Sequence, residues 1–346
     1  MNSNFAGTSV ISATHSNPST RCEALEEFAN LERIRLANLV TPIERADRLR
    51  AQIPGAPELF IKRDDLTGYF GGGNKLRKLE YVMADALSKG ATAVVTTGSI
   101  TSNLARTTAV VAKRLGLKCV LVLNGGDPRT ARANSRLTEL LGVTVHSVVS
   151  RAERELKLEE VAQDLARQGE SVYRIPLGAS NEVGSFGMVA AMEEIGIQQL
   201  EMSEQFDAIV LATSSGGTQA GLEVGRRLFG YQHLRIHGVS ADDPASAIKE
   251  AALKAIVPML QKLNLPSEVS ADELSVDDTF IGEGYGINTK ESREAMQMFA
   301  EAEGLLLDPV YTSKGAAGLI TYCRQGKFKS TDRVLFWHTG GLMTLL

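Results

Sequence analysis

Apolar and polar positions alternate in blocks that predict strands and helices in turn. Short, mostly apolar and β-branched runs predict buried strands at 58–62, 93–97, 119–123, 143–149, 207–213, 235–240 and 333–337. Amphipathic spacing predicts helices at 23–37, 74–89, 102–115, 130–141, 151–168, 187–203 and 217–229. A helix separates most neighbouring strands, and strands that are apolar throughout are typical of a parallel sheet covered on both faces. The pattern therefore predicts an α/β protein with mainly parallel sheets.

Two turn-rich stretches indicate where the chain passes between domains. They lie near 63–70 and at 176–181, and a compact set of strand–helix units lies between them. A chain of 346 residues is long enough for two domains. We predict a smaller inserted α/β domain at 78–180 and a larger domain built from 1–77 plus 181–346.

Composition narrows the function classes. Hydrophobic content of 43% and charged content of 23% are typical of a soluble globular protein, and the net charge of −4 gives no footprint for nucleic acid or an anionic membrane. No apolar run approaches the ~20 residues that span a bilayer. The polar first 20 residues have no secretory layout, so we expect a cytoplasmic protein. Three scattered cysteines and five scattered histidines predict no disulfide framework and no metal site.

Lys75 is the first candidate for chemistry. It follows three glycines and Asn74, in what is predicted to be the first turn of a helix. A cation there faces the positive end of the helix dipole, which is mildly unfavourable. One interpretation is a Schiff base to an aldehyde cofactor. The other is a solvated lysine that happens to follow a glycine turn, and the local sequence does not decide between them.

The turn at 211–221 has the residues of a phosphate site. Its centre, 213–218, contains only hydroxyl residues and glycines between a predicted strand and a predicted helix. Backbone N–H groups exposed by glycine, hydroxyls and a helix N-terminus bind phosphate without a metal. The turn lacks the lysine of a nucleotide P-loop and is not GxGxxG, so a single terminal phosphate fits better than a polyphosphate. The alternative is a tight turn that needs glycine for its geometry; we favour the phosphate site.

Further polar turns follow other strands, at 97–106, 282–286, 307–314 and 338–341. Each alone could be an ordinary cap or turn, such as an N-cap at Ser102 or Asn103. The turn at 97–106 could also hold a substrate carboxylate. Because ligands gather at the carboxyl ends of strands in open α/β sheets, we expect these turns to meet at one crevice.

Together these segments resemble the D-cysteine desulfhydrase / 1-aminocyclopropane-1-carboxylate (ACC) deaminase family. This family belongs to the tryptophan-synthase-β-like, fold type II, pyridoxal-phosphate (PLP) enzymes. The resemblance runs from about Val40 to Gly341 and rests on 72–75 with 77–80, 101–103, 213–221, 284–286, 308–311 and 338–341. It implies two three-layer α/β/α domains with PLP in the cleft between them, a small amino-acid substrate and a homodimer.

Carried across by position, the resemblance also implies roles. Lys75 would be the Schiff-base lysine, next to Asn74; Asn103 would face the cofactor ring, and Thr312 would meet its pyridine nitrogen. The phosphate would be held by Ser214, Ser215, Gly216, Gly217 and Thr218. Tyr285 and Tyr311 would flank the substrate, Ser102 would handle a proton or bind substrate, and Leu104 would complete the substrate wall beside Asn103.

Thr312 bears on the reaction that the resemblance implies. The ACC-opening branch usually has Glu here and the desulfhydrase branch Thr, and a hydroxyl makes PLP a weaker electron sink than a carboxylate does. We therefore expect α,β-elimination to a 2-oxo acid and ammonia, with Lys75 or a tyrosine removing the α-proton. ACC-type ring opening, β-replacement, and a PLP-binding homologue without turnover remain open.

The chain departs from the family pattern at the pocket wall. Leu104 stands where the family usually has His or Gln, Asn288 replaces a usual Pro, and Leu342-Met343 follow Gly341 where a small residue and Pro are common. Because Leu104 cannot hydrogen-bond, we expect a substrate other than D-cysteine, with a less polar side chain.

Overall fold

The computed structural model describes residues 18–69, 71–125 and 132–345. The described strands are β1 Ile43–Arg45, β2 Glu58–Arg63, β3 Ala93–Ser99, β4 Lys118–Asn124, β5 Thr144–Val148, β6 Val172–Ile175, β7 Ala208–Thr213, β8 Arg235–Ser240, β9 Ser275–Asp277 and β10 Arg333–His338. The described α-helices are α1 Pro18–Ala29, α2 Asp47–Ala51, α3 Lys75–Ser88, α4 Asn103–Arg114, α5 Arg132–Leu140, α6 Glu153–Arg167, α7 Glu182–Met202, α8 Gly217–Leu228, α9 Ala245–Lys262, α10 Lys290–Glu303 and α11 Thr312–Arg324.

The strands form two separate sheets. The larger has six strands in the order β1-β2-β10-β7-β8-β9, parallel except for β1, which pairs antiparallel with β2. The smaller has four parallel strands in the order β5-β4-β3-β6. This confirms the predicted α/β class with mainly parallel sheets.

Helices cover both faces of each sheet. In the larger sheet, apolar side chains of α7 and α8 pack on one face, and those of α2, α10 and α11 pack on the other. In the smaller sheet, α6 covers one face and α3 with α4 the other. Strands buried on two sides must be apolar throughout, which explains why runs such as 208–213 show no alternation.

The smaller sheet is built from residues between 93 and 175, inside the segment predicted as the inserted domain. All described strands of the larger sheet come from outside that segment. The domain boundaries at 78 and 180 themselves stay a prediction.

The first predicted helix is wrong beyond residue 29. The chain at 31–42 forms no helix, and the backbone N–H groups of Leu36 and Ala37 donate to the buried Glu80 Oε1 at 2.8 and 2.9 Å. These long-range hydrogen bonds replace the i to i−4 bonds of a helix, while Leu36 packs in the core of the smaller sheet. The polar residues 1–17 and the start of the predicted 130–141 helix lie outside the described residues.

Candidate active site

A cavity of about 180 Å³ collects the polar turns that the sequence singles out. Its walls come from both sheets, from the ends of β3, β4 and β7 and from Asp242, two residues after β8. The predicted site residues that line it are Asn74, Lys75, Ser102, Asn103, Leu104, Ser214, Ser215, Gly216, Thr218, Tyr285 and Tyr311. The expectation that these turns meet in one crevice is confirmed.

A strained glycine turn sets the position of Lys75. Gly72 and Gly73 have φ of +55° and +117°, and a Cβ on Gly72 would lie 2.0 Å from the carbonyl oxygen of Asp65. Only glycine fits such a close approach at positive φ. The backbone N–H of Asn74 donates to Thr339 O at 3.1 Å, which ties the turn to the residue after β10. Lys75 then begins α3.

The Lys75 ammonium has no compensating partner. Within the described part of the chain it makes no hydrogen bond and no ion pair, and burial lowers its pKa to about 8. Its neighbour Lys78 differs: its Nζ donates to Gly178 O and Ser180 Oγ, both at 3.1 Å. Burial and then the charge of Lys75 lower the pKa of Lys78. A lysine with a depressed pKa and no partner is suited to act as a nucleophile.

The turn before α8 forms a cup lined by hydroxyls. Gly216 has φ of +75°, and a Cβ there would lie 2.8 Å from the backbone nitrogen of Ala252. Thr218 accepts a hydrogen bond from Asn74 Nδ2 at 2.9 Å, so the cup is joined to the lysine turn. Thr213 lines the cavity, and its hydroxyl is buried and has no hydrogen-bond partner among the described residues. A free hydroxyl beside a helix N-terminus can bind an anion.

Two tyrosines form another part of the cavity wall. The hydroxyls of Tyr285 and Tyr311 are 2.6 Å apart, and their rings meet edge to face with centroids 5.8 Å apart. Tyr285 OH also lies 3.0 Å from Ser99 Oγ and 3.3 Å from Thr101 Oγ1. Burial, followed by the neighbouring Tyr285, raises the pKa of Tyr311. Tyr311 therefore stays protonated at neutral pH, at the end of a chain of hydroxyls that can carry a proton.

Thr312 is not on the cavity wall. It begins α11 fully buried, and its Oγ1 donates to Asp308 Oδ1 at 2.7 Å and accepts from the Asp308 N–H at 2.8 Å. Asp308 also accepts from the backbone N–H groups of Val310, Tyr311 and Thr312. The hydroxyl of Thr312 therefore donates to Asp308 in this structure, and its bond to the pyridine nitrogen stays a prediction. Gly217, the first residue of α8, likewise does not line the cavity.

Sequence reasoning missed several residues that line the cavity, among them Ser99, Asn124, Arg151, Arg154, Asp242 and Thr339. Three of these are charged. Arg151 forms a two-bond ion pair with Asp243 at 2.9 and 2.6 Å. Burial raises the pKa of Asp242, and the charge of Asp243 adds to this. Ser99 and Thr339 lie in two of the polar turns singled out above, although the sequence did not mark them individually. No glycine or hydroxyl pattern marks Asn124, Arg151, Arg154 or Asp242, so no local signal could have found these four.

Comparison with known proteins agrees with this geometry. Residues 34–340 match the family described as "Pyridoxal-phosphate dependent enzyme". The chain belongs to this family. Its fold is therefore that of fold type II PLP enzymes, and its cofactor is PLP.

Several solved structures are similar over most of the chain. One, described as an ACC deaminase homologue, has 35% sequence identity and a TM-score of 0.86, and the match covers 94% of this chain and 96% of that one. Threonine deaminase isoform 2 from Solanum lycopersicum has 16% identity and a TM-score of 0.67, with 95% and 91% covered. A PLP-dependent aspartate racemase has 18% identity and a TM-score of 0.65, with 93% and 94% covered. The last two show the fold alone.

The residues present fit PLP. An anion-binding helix end with the unpartnered Thr213 hydroxyl suits the phosphate, and the unpartnered Lys75 amine on the same cavity suits the aldehyde. Asn74 joins these two parts through its bond to Thr218. The family assignment and this donor set agree.

The described residues contain neither a candidate metal site nor a candidate membrane span. Among the described residues, no group of three or more His, Cys, Asp or Glu side chains could hold a metal ion. No described helix combines the length and apolar character needed to span a bilayer.

Proposed function

We propose that this PLP enzyme catalyses α,β-elimination on a small amino acid and releases a 2-oxo acid and ammonia. The observation that carries the proposal is the unpartnered Lys75, on one cavity with both the helix-end cup of α8 and the Tyr285–Tyr311 pair. PLP, when bound, supplies an electron sink for the carbanion that forms as the α-proton leaves. The protein must then hold the cofactor, orient the substrate and move protons.

The assignments follow the geometry. Lys75 would hold the cofactor aldehyde, and Ser214 to Thr218 with Thr213 would hold its phosphate. Ser102 and Asn103 begin α4 at the cavity, where backbone N–H groups and side chains suit a substrate carboxylate. Lys75 Nζ would also take the α-proton of the substrate, because its lowered pKa leaves a substantial neutral fraction near pH 8.

The tyrosine pair would serve the departing β-group. Tyr311 stays protonated, and a proton that it gives up can be replaced through Tyr285 from Ser99 and Thr101. This arrangement suits a proton donor to a leaving group better than a base. Loss of the β-group and hydrolysis of the resulting enamine give the 2-oxo acid and ammonia.

Ring opening of ACC is the second candidate. The 35% identical structure described as an ACC deaminase homologue favours it. The threonine at 312 counts against it, since its hydroxyl is bonded to Asp308 and offers no carboxylate to the cofactor ring. If neither elimination nor ring-opening products form, the remaining candidates are a β-replacement enzyme and a PLP-binding protein without turnover.

The test first detects the bound cofactor by its absorption and then identifies the reaction products. Purified protein with PLP is expected to absorb near ~410–430 nm and to keep the label on Lys75 after borohydride reduction. A panel of D- and L-amino acids, with ACC included, is then assayed for pyruvate, 2-oxobutyrate and ammonia. Pyruvate from a β-substituted amino acid supports elimination, and 2-oxobutyrate from ACC alone supports ring opening. β-Replacement would require a second nucleophile in the assay. The proposal is overturned if none of the compounds yields a 2-oxo acid.

We also propose a homodimer in the cytoplasm. Cys22, Cys119 and Cys323 are free, and cysteines without a disulfide framework suit a reducing compartment. Light scattering on the purified holoenzyme measures the oligomeric state, and a monomer would contradict the dimer.

A further inference from the structure

Arg154 is a cation on the cavity wall that the proposed chemistry does not use. It is the second residue of α6, is only 7% exposed, and lines the same cavity as Lys75 and Tyr285. Because it comes from the smaller sheet's outer helix rather than from a strand end, it reaches the site from a different element than the cofactor residues do.

The other charges on this wall have partners. The guanidinium of Arg151 is paired with Asp243, and the Asp242 carboxylate accepts a hydrogen bond from Ser214. Arg154 Nε donates to the Arg151 carbonyl oxygen at 3.3 Å. Its two terminal nitrogens donate to no group among the described residues, and its guanidinium has no ion pair there.

Stability does not explain this arginine. It lies in the first turn of α6, where the helix dipole repels a cation, and it is close to a second arginine. Burial, and then the charge of Arg151, lower the pKa of Arg154, and the charges of Glu155 and Asp242 offset this only in part. A buried cation without a close ion-pair partner normally costs stability. A ligand that brings a negative charge would remove this cost.

We propose that Arg154 binds an anionic group at the end of the substrate side chain, such as a carboxylate, sulfonate or phosphate. The planar guanidinium presents paired N–H donors that match the oxygens of these groups. The inference rests on the proposed function, since it assumes an amino-acid substrate. It departs from the expectation drawn from Leu104, which predicted a substrate with a less polar side chain. Leu104 forms an apolar part of the wall near the start of α4, whereas Arg154 forms a cationic part.

The test measures binding of candidate substrates to the holoenzyme. Holoenzyme is titrated with D- and L-cysteate, D- and L-aspartate, O-phosphoserine and neutral alanine, following the cofactor absorption band. We expect at least one anionic compound to bind about tenfold or more tightly than alanine, because charge-assisted bonds in a buried site are strong. Arg154→Met should abolish this preference while alanine affinity and PLP content stay unchanged, and Arg154→Lys should keep part of it.

Arg167→Met is the matched control, since Arg167 lies on the same helix, is exposed and pairs with Asp164. It should behave as wild type. Equal binding of anionic and neutral compounds by wild type overturns the inference, and so does an equal loss of both in Arg154→Met. Loss of PLP from Arg154→Met also overturns it, because Arg154 would then serve the cofactor phosphate. If Arg154→Met does not fold, the wild-type preference and Arg154→Lys decide.

Failure of the proposed function looks different. Wild-type protein that never develops the cofactor band contradicts PLP chemistry before any titration. A coloured enzyme that treats cysteate and alanine alike contradicts only the role of Arg154.

Discussion

Lys75 lies where its own charge is destabilising. Its pKa falls from 10.5 in the unfolded chain to about 8 in the folded protein because of burial, so the folded state disfavours the proton. The destabilisation caused by Lys75 should therefore be complete below pH 8. The free energy of unfolding of the wild type should rise as pH rises from about 8 to 10.5. A residue kept under these conditions is explained by chemistry and not by folding.

Replacing Lys75 with Met should stabilise the protein without cofactor. We expect apo Lys75→Met to gain about 1–3 kcal/mol in unfolding free energy at pH 7, and this gain should vanish towards pH 10.5. Urea unfolding of both cofactor-free proteins across this pH range measures it. The variant should also fail to keep PLP after borohydride reduction. A gain that is the same at every pH would contradict the pKa argument.

Leu104 is the residue whose exchange should move substrate choice. It is 1% exposed and packs in the core of the smaller sheet while one side lines the cavity. We expect wild type to be a poor D-cysteine desulfhydrase and Leu104→His to raise that activity, because imidazole restores a polar group at the pocket wall. Initial rates are measured per PLP bound, with Leu104→Met as a control of similar size. High activity in wild type that the exchange leaves unchanged would refute this.

At the scale of elements, the longer strands and the turns behind them were predictable, whereas some helices and the short strands were not. Runs such as 93–97 and 207–213 are apolar enough to identify buried strands, and the glycines at 71–73 identify the lysine turn. Helices α9 and α10 were missed. The described N-terminus of α7 lies at 182, before its predicted start at 187, and the short strand β6 was also missed. These elements are defined by packing and pairing with distant segments, which a local pattern does not contain.

The loop that carries Tyr285 depends on one buried lysine. Lys314 in α11 is fully buried, and its Nζ donates to the carbonyl oxygens of Ala241, Ile281 and Gly284 at 2.9, 2.7 and 2.8 Å. It therefore ties the loop to the end of β8. The sequence shows Tyr285 between glycines but gives no sign of this anchor, because its bonds go to backbone atoms 30 to 73 residues away.

Lys314→Met should release the loop without unfolding the helix. We expect faster amide exchange at 281–287 and a fall in kcat/KM of at least about tenfold, since small displacements of a catalytic group are costly. Exchange mass spectrometry and initial rates measure the two effects. Lys254→Met, which removes an exposed lysine paired with Glu250, is the control. Unchanged exchange at 281–287 would show that the glycine loop holds itself in place.

At the scale of the whole molecule, a buried charge network fixes the helix that begins with Lys75. Arg77 in α3 donates to Asp64 at 2.8 Å and to Glu194 in α7 at 2.9 Å. Glu194 also accepts from Lys62 in β2 at 2.5 Å. The network joins the larger sheet, α3 and α7 near the point where the chain leaves for the smaller sheet, so it holds the lysine turn in register with both walls of the cavity.

Glu194→Gln should destabilise the protein strongly and in a pH-dependent way. Burial alone would raise the pKa of Glu194, but the hydrogen bonds and charges of Arg77 and Lys62 lower it to about 2, against 4.5 in the unfolded chain. The ionised carboxylate therefore stabilises the fold fully above pH 4.5, and this contribution is lost as pH falls towards 2. We expect a loss of about 3–5 kcal/mol in unfolding free energy at pH 7, because Arg77 and Lys62 are left buried with too little negative charge.

Urea unfolding at pH 7 and pH 3.5 should show a large difference between Glu194→Gln and wild type that shrinks at the lower pH. Glu201→Gln, on the exposed side of α7, should match wild type at both. A loss for Glu194→Gln that is equal at both pH values would mean that shape, not charge, makes Glu194 necessary, and that the network does not fix α3 by electrostatics.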